Sequence, residues 1–175
     1  MNRLRIQKML YVALFSALMA VSAWIAIPMP IPFTLQTFTF FLALMILGGL
    51  YGTAMSLIYI SLGVVGLPVF AGFGSGAGYL LGASGGFILA FPISALLFAL
   101  LEKLFGKERK RKLIYAAVSL LLIYAIGALW FSLVYTENRG FFAALAIVAL
   151  PYVLPDALKI FLAYYVSERL KIFNV

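Results

Sequence analysis

The sequence predicts an all-α integral membrane protein with six transmembrane helices, irregular external loops after the first and third helices, and both termini in the cytoplasm. Three observations lead there. From Met9 to Leu101 there is not one charged side chain. Hydrophobic residues make up 66% of the chain and charged residues 10%, against roughly 25% charged in ordinary soluble domains. The basic residues gather in three places: Arg3, Arg5 and Lys8; Lys103, Lys107 and Arg109 to Lys112; and Arg169 with Lys171. Six spans put these clusters on one face, with Arg139 alone opposite, and the positive-inside rule makes the shared face cytoplasmic.

The 175 residues fit a single membrane domain, 1–175. The chain has no cysteine and no histidine, which removes thiol chemistry, thiolate metal sites and the commonest general base. No metal site or cofactor is expected. The net charge of +8 sits in the topology clusters, so it does not point to nucleic acid. The first apolar run, Met9 to Ile27, is too long for a secretory signal peptide.

Taken in order, the first helix spans about Arg5 to Ile27. Pro28, Pro30 and Pro32 end it and force an extended segment. The second helix covers Gln36–Leu47, and Gly48, Gly49 and Gly52 turn the chain into a third that runs to about Val65. Gly66-Leu67-Pro68 stops that helix, and a glycine-rich loop, Val69–Gly78, follows. The fourth helix begins near Tyr79 and reaches Lys103, interrupted by Gly82-Ala83-Ser84-Gly85-Gly86. After the basic loop 103–112 comes the fifth, about Leu113–Val134, and then a short polar turn, Tyr135–Gly140. The remainder is too long for one straight span. Pro151 and Pro155 divide it into a short outer helix, 141–150, and a sixth span, Pro155–Phe173.

That last helix opens with PYVLPDALK. Asp156 is the only carboxylate between Glu137 and Glu168, and Lys159 the only cation between Arg139 and Arg169. A charge at membrane depth costs roughly 2.5–3.5 kcal/mol on insertion scales, faces the protein interior, and marks function by default. At i and i+3 the two share a helix face, and Pro155 suits a first turn with free backbone N–H groups nearby. Asp156 lies 13 residues from Arg169, about 20 Å of helix, so it falls in the outer half of a roughly 30 Å core. The pair, the proline segment and the glycine loop therefore converge outside. Either they form a polar site for a small ligand, or the pair only fixes helix packing.

Other motifs carry two readings each. Gln36 presents a donor and an acceptor together, as recognition of a urea or amide demands; it also suits a loop-to-helix cap. The loop Pro68–Gly78 brings backbone close to a ligand with Phe70 and Phe73 as walls, or is an external hairpin without chemistry. Ala13, Ser16, Ala17, Ala20 and Ala23 form a small-residue stripe for close helix approach; spacing alone favours packing within the subunit. Gly82-Ala83-Ser84-Gly85 matches the serine motif of rhomboid proteases, but without a histidine beside the serine that likeness fails. Gly85 and Gly86 are expected to serve close helix packing. Gly106-Lys107 lacks the glycine and the Ser or Thr of a phosphate-binding loop, so the chain does not hydrolyse ATP by itself.

Four motifs in order resemble the BioY family over nearly the whole chain: IPFTLQT after the first helix, VGLPVFAG before the fourth, the GxxGG segment, and LPxxLPDxLK in the last. The family is the biotin-specific substrate-binding (S) component of energy-coupling-factor transporters. Here GASGG carries Ala and Ser where Pro and Thr are expected, and no glycine precedes Asp156. The resemblance implies a six-helix, multi-pass subunit of a bacterial or archaeal cytoplasmic membrane that captures biotin from outside. Its implied partners are a transmembrane coupling protein and two ATP-hydrolysing subunits, docked through Ala13 and Ala17. It implies that Asp156 accepts from the ureido N–H groups and that Lys159 meets the ureido oxygen or the carboxylate. Phe70, Phe73 and Tyr152 would wall the bicycle, with Ser75 and Tyr79 as added donors. The alternative is a stand-alone proton-coupled or facilitative transporter with Asp156 carrying the proton. The Lys159 partner argues against it, because a neighbouring cation favours the charged carboxylate.

Overall fold

A computed structural model describes residues 3–29, 31–134 and 140–170. The chain is helical almost throughout: α1 Arg3–Trp24, α2 Gln36–Leu47, α3 Gly49–Val64, α4 Ala77–Leu80, α5 Gly85–Phe105, α6 Arg109–Val134, α7 Gly140–Val148 and α8 Leu150–Leu170. Among the described residues, α1 (from Arg5), α5 and α6 are long and apolar enough to cross a membrane, and α7 with α8 forms a fourth candidate span bent by 49°. The helices α2 and α3 are apolar but shorter.

Burial explains their arrangement. Nine of the twelve residues of α2 are buried, which is how a helix that is hydrophobic all round finds its place at the centre of a fold. It packs against α1, α3, α5, α6 and α8. The long helices instead expose apolar side chains, such as Leu10, Leu14 and Leu18 on α1 and Leu158, Phe161 and Leu162 on α8. An apolar exterior wrapped around buried polar side chains belongs in lipid. Gly86 takes the expected packing role at the α5–α6 contact, as does Gly127, whereas a Cβ on Gly85 would meet the Leu80 carbonyl of α4. A Cβ on Gly86 would lie 2.2 Å from Trp130, and one on Gly127 would lie 2.4 Å from Phe87.

Several sequence-based boundaries move, each for a local reason. α1 ends at Trp24, and Ala26–Ile27 forms a two-residue strand, β1, paired antiparallel with β2, Phe33–Thr34. The residue before a proline avoids the helical region, so Ile27 goes into a ribbon instead of extending α1. The expected fourth helix splits into the single turn of α4 and the long α5. α6 starts at Arg109 inside the basic loop, with the Glu108 carbonyl accepting from the Arg111 and Lys112 N–H groups. The last helix starts at Leu150, not at Pro155. Pro151 takes the first turn, Pro155 lies inside, and Asp156 is well past the free N-terminal amides. The turn 135–139, with Arg139, and residues 171–175, with Lys171, lie outside the described residues.

Apart from Lys159, the basic side chains with described contacts gather at one end of the bundle. Arg109 bonds Glu168 at 3.1 Å, joining the start of α6 to the end of α8. Lys8 sits 5.3 Å from the ring centroid of Tyr51 at the start of α3. A second buried charged group lies at this end, one that the sequence reading passed over. Glu102 is buried, and its Oε2 accepts the Gly49 N–H at 2.9 Å. Lys112 Nζ lies 3.4 Å from Glu102 Oε1 and donates to the Met45 carbonyl at 2.9 Å. Gly48 joins α2 to α3 at φ 86°, and a Cβ there would come within 3.1 Å of Glu102 Oε2. The α2–α3 turn is thereby clamped from α5 and α6.

Candidate functional site

At the opposite end, a cavity of about 630 Å³, counted out through its mouth, opens among the β1–β2 ribbon, the start of α2, α4 and the facing parts of α5, α6 and α8. Asp156 and Lys159 lie on its wall, one helical turn apart, and both are buried. Lys159 Nζ donates to Asp156 Oδ1 at 2.8 Å. Its other two bonds go to the Thr34 carbonyl at 2.7 Å and to Thr37 Oγ1 at 3.1 Å, which uses all three ammonium protons. The Phe33 ring lies beneath the ammonium, 3.6 Å from centroid to Nζ. The Thr37 hydroxyl donates onward to Asp156 Oδ1 at 2.9 Å, and the Tyr124 hydroxyl donates to Oδ2 at 2.8 Å.

The surrounding polar groups are equally constrained. Gln36 Nε2 donates to the Tyr59 hydroxyl at 2.6 Å, while Gln36 Oε1 accepts from Thr34 Oγ1 at 3.0 Å. Tyr59 in turn donates to the Val69 carbonyl at 3.0 Å. The Tyr152 hydroxyl donates to the Ile31 carbonyl, and that of Tyr79 to the Ala71 carbonyl at 3.1 Å. Phe87, Ile88 and Phe91 of α5, with Ile31, Ile123 and Val148, supply an apolar wall opposite. A mutually neutralised ion pair on one side and hydrocarbon on the other suit a ligand with a polar, uncharged head and an apolar body.

Of the residues expected at the site, Asp156, Lys159, Gln36, Tyr79 and Tyr152 line this cavity. Phe70 does not; it is fully buried behind Tyr79, stacked on that ring at 4.9 Å and edge-on to Tyr59 at 5.6 Å. Phe73 does not either. Gly72 and Phe73 both take positive φ, 65° and 60°, turning the loop so that the Phe73 ring, 61% exposed, stacks on Trp24 at 5.1 Å. Ser75 is exposed and away from the cavity. Thr37, Tyr124, Phe33 and the Phe87–Phe91 face line it without having been singled out. Far from this site, Ala13 and Ala17 of α1 are exposed, whereas Ser16, Ala20 and Ala23 of the same stripe are buried.

The model of the BioY family matches residues 1–173. A probable biotin transporter BioY from Pyrococcus horikoshii is 40% identical over 161 residues, covering 91% of this chain and 93% of that one. The biotin transporter BioY of Thermotoga maritima is 36% identical over 170 residues, covering 94% of this chain and 96% of its own. The crystal structure of an S-component for biotin from an ECF-type ABC transporter superposes with a TM-score of 0.86 at 27% identity, over 99% of this chain and 95% of the other.

The bonding pattern predicts an asymmetry that chemical denaturation in detergent would measure. Lys159→Ala leaves Asp156 buried without its cation and should cost roughly 3–5 kcal/mol of stability. Replacing both members, as Asp156→Asn with Lys159→Met, should cost less than that single change. A double variant less stable than Lys159→Ala would show that the pair is not the coupled unit described.

Proposed function

The chain belongs to the BioY family, and from that membership we propose that it captures biotin in the cavity beside Asp156 and Lys159 and serves as the S component of an ECF-type transporter. The observation that carries this reading is the match between cavity and ligand. Biotin offers a neutral urea with two N–H donors and one carbonyl, a fused apolar ring, and a carboxylate at the end of a flexible chain. Asp156 is the acceptor for an N–H group, and Gln36 supplies an amide with donor and acceptor capacity left over. Lys159 reaches the ureido oxygen by exchanging one of its present protein bonds. Tyr152, Phe87 and Phe91 enclose the ring system. Phe70 acts from behind Tyr79 by holding that ring in place.

Six spans follow if α2 and α3 cross as well. At 12 and 16 residues they are about 18 and 24 Å long, short of a roughly 30 Å core. α2 tolerates this because other helices surround it and shield its ends from lipid. The basic end is cytoplasmic and the cavity opens outward, in a bacterial or archaeal cytoplasmic membrane. The chain has no nucleotide-binding loop, so energy must come from a transmembrane coupling protein and two ATPase subunits, with Ala13 and Ala17 as the exposed docking face on α1.

Two experiments test these readings separately. Titration calorimetry on the purified protein should show biotin binding that Asp156→Asn weakens about ten- to a hundredfold, the range for a hydrogen bond to a charged partner. Unchanged affinity in a folded Asp156→Asn protein would make this aspartate structural. Ala13→Leu with Ala17→Leu should abolish co-purification with the coupling protein while leaving biotin binding intact. A double variant that keeps its partners but loses biotin would place the stripe inside the subunit's own packing.

A further inference from the structure

The carboxylate of Asp156 has about four acceptor positions, two on each oxygen. Lys159 and Thr37 fill both on Oδ1, and the Tyr124 hydroxyl takes one on Oδ2. One position is left. Tyr124 is buried on α6 and bonds the carboxylate oxygen that Thr37 of α2 does not, and both Tyr124 and Asp156 line the cavity. We infer that Tyr124 is a positioning residue of the ligand site, fixing the rotation of the Asp156 carboxylate so that it offers a single acceptor, on Oδ2, to one N–H group of the ligand. This rests on the reading of the cavity as a biotin site and refines it. The two N–H groups of a cyclic urea diverge on either side of its carbonyl, so an acceptor of fixed direction serves only one. The other needs a different group, and Gln36 Oε1, with a single protein bond at 3.0 Å, has the capacity for it. Discrimination between the two ureido nitrogens is then built into the protein before any ligand arrives. Without the Tyr124 hydroxyl the carboxylate is held only through Oδ1 and turns more freely about that anchor.

The test compares biotin with its two derivatives methylated at one or the other ureido nitrogen, by calorimetry on wild type and Tyr124→Phe. The wild type should distinguish the two derivatives by about tenfold or more, the scale of one hydrogen bond to a charged group. Tyr124→Phe should weaken biotin by about tenfold and bring the ratio between the derivatives towards one. A Tyr124→Phe protein that loses affinity equally for all three ligands, or binds biotin as the wild type does, overturns the inference. A wild type that binds biotin but does not distinguish the derivatives overturns it as well. A wild type that does not bind biotin overturns the biotin reading and this inference with it. If Tyr124→Phe does not fold, 3-fluorotyrosine at position 124 keeps the ring and makes the hydroxyl a stronger donor. It should raise the ratio, and an unchanged ratio overturns the inference.

Discussion

The buried bond between Lys159 and Asp156 is the constraint on which the cavity-bearing half of the molecule depends. Two charges removed from water must be surrounded by partners or they cost more than they return, and α8 alone cannot provide those partners. They come from the β1–β2 ribbon through the Thr34 carbonyl, from α2 through Thr37, and from α6 through Tyr124. Three chain segments far apart in sequence, residues 34–37, α6 and α8 itself, are thus drawn to one point. The space they leave between themselves and α5 is the cavity. The cavity is therefore a by-product of satisfying the pair, and the polarity of that wall is that of the pair: strongly polar, without net charge.

The other end repeats the device for a different purpose. Glu102 and Lys112 bracket the α2–α3 turn, one holding the Gly49 N–H and the other the Met45 carbonyl. α2 is consequently tied at both ends, by Lys112 at its last turn and by the Asp156–Lys159 pair at its first. A short, fully enclosed helix held in this way positions Gln36 and Thr37 against α8 with little freedom to slide. For the ligand proposed to bind there, no binding energy goes into ordering those side chains, which is the benefit of a preorganised site.

What was legible in the sequence was legible through scarcity. Asp156 and Lys159 stood out because almost nothing else near them is charged, and their spacing put them on one face of whichever helix contained them. Gln36 stood out as an amide among hydrocarbon. Loop position, by contrast, does not give side-chain direction. The glycine-rich loop suggests Phe70, Phe73 and Ser75 by position alone, yet none of them lines the cavity, and the left-handed backbone at Gly72 and Phe73 sends the Phe73 ring to Trp24 instead. Thr37 and Tyr124 could not be found at all, since their partner lies 119 and 32 residues away and neither helix has a pattern that marks one hydroxyl above another. Glu102 was hidden differently. At the edge of a basic run it reads as a surface residue, and only the fold reveals that the α2–α3 turn covers it.

Where biotin sits decides whether the Asp156–Lys159 pair serves a ligand. The chain has no cysteine and six methionines, so in a crystal of the complex the ligand's sulfur can be located by its anomalous scattering against few others. That sulfur is expected between Tyr152 and the Phe87–Phe91 face, with the ureido ring in hydrogen-bonding distance of Asp156 Oδ2. A sulfur located outside this cavity, with the bonds of Asp156 and Lys159 undisturbed, would contradict this placement and leave the pair as a structural knot.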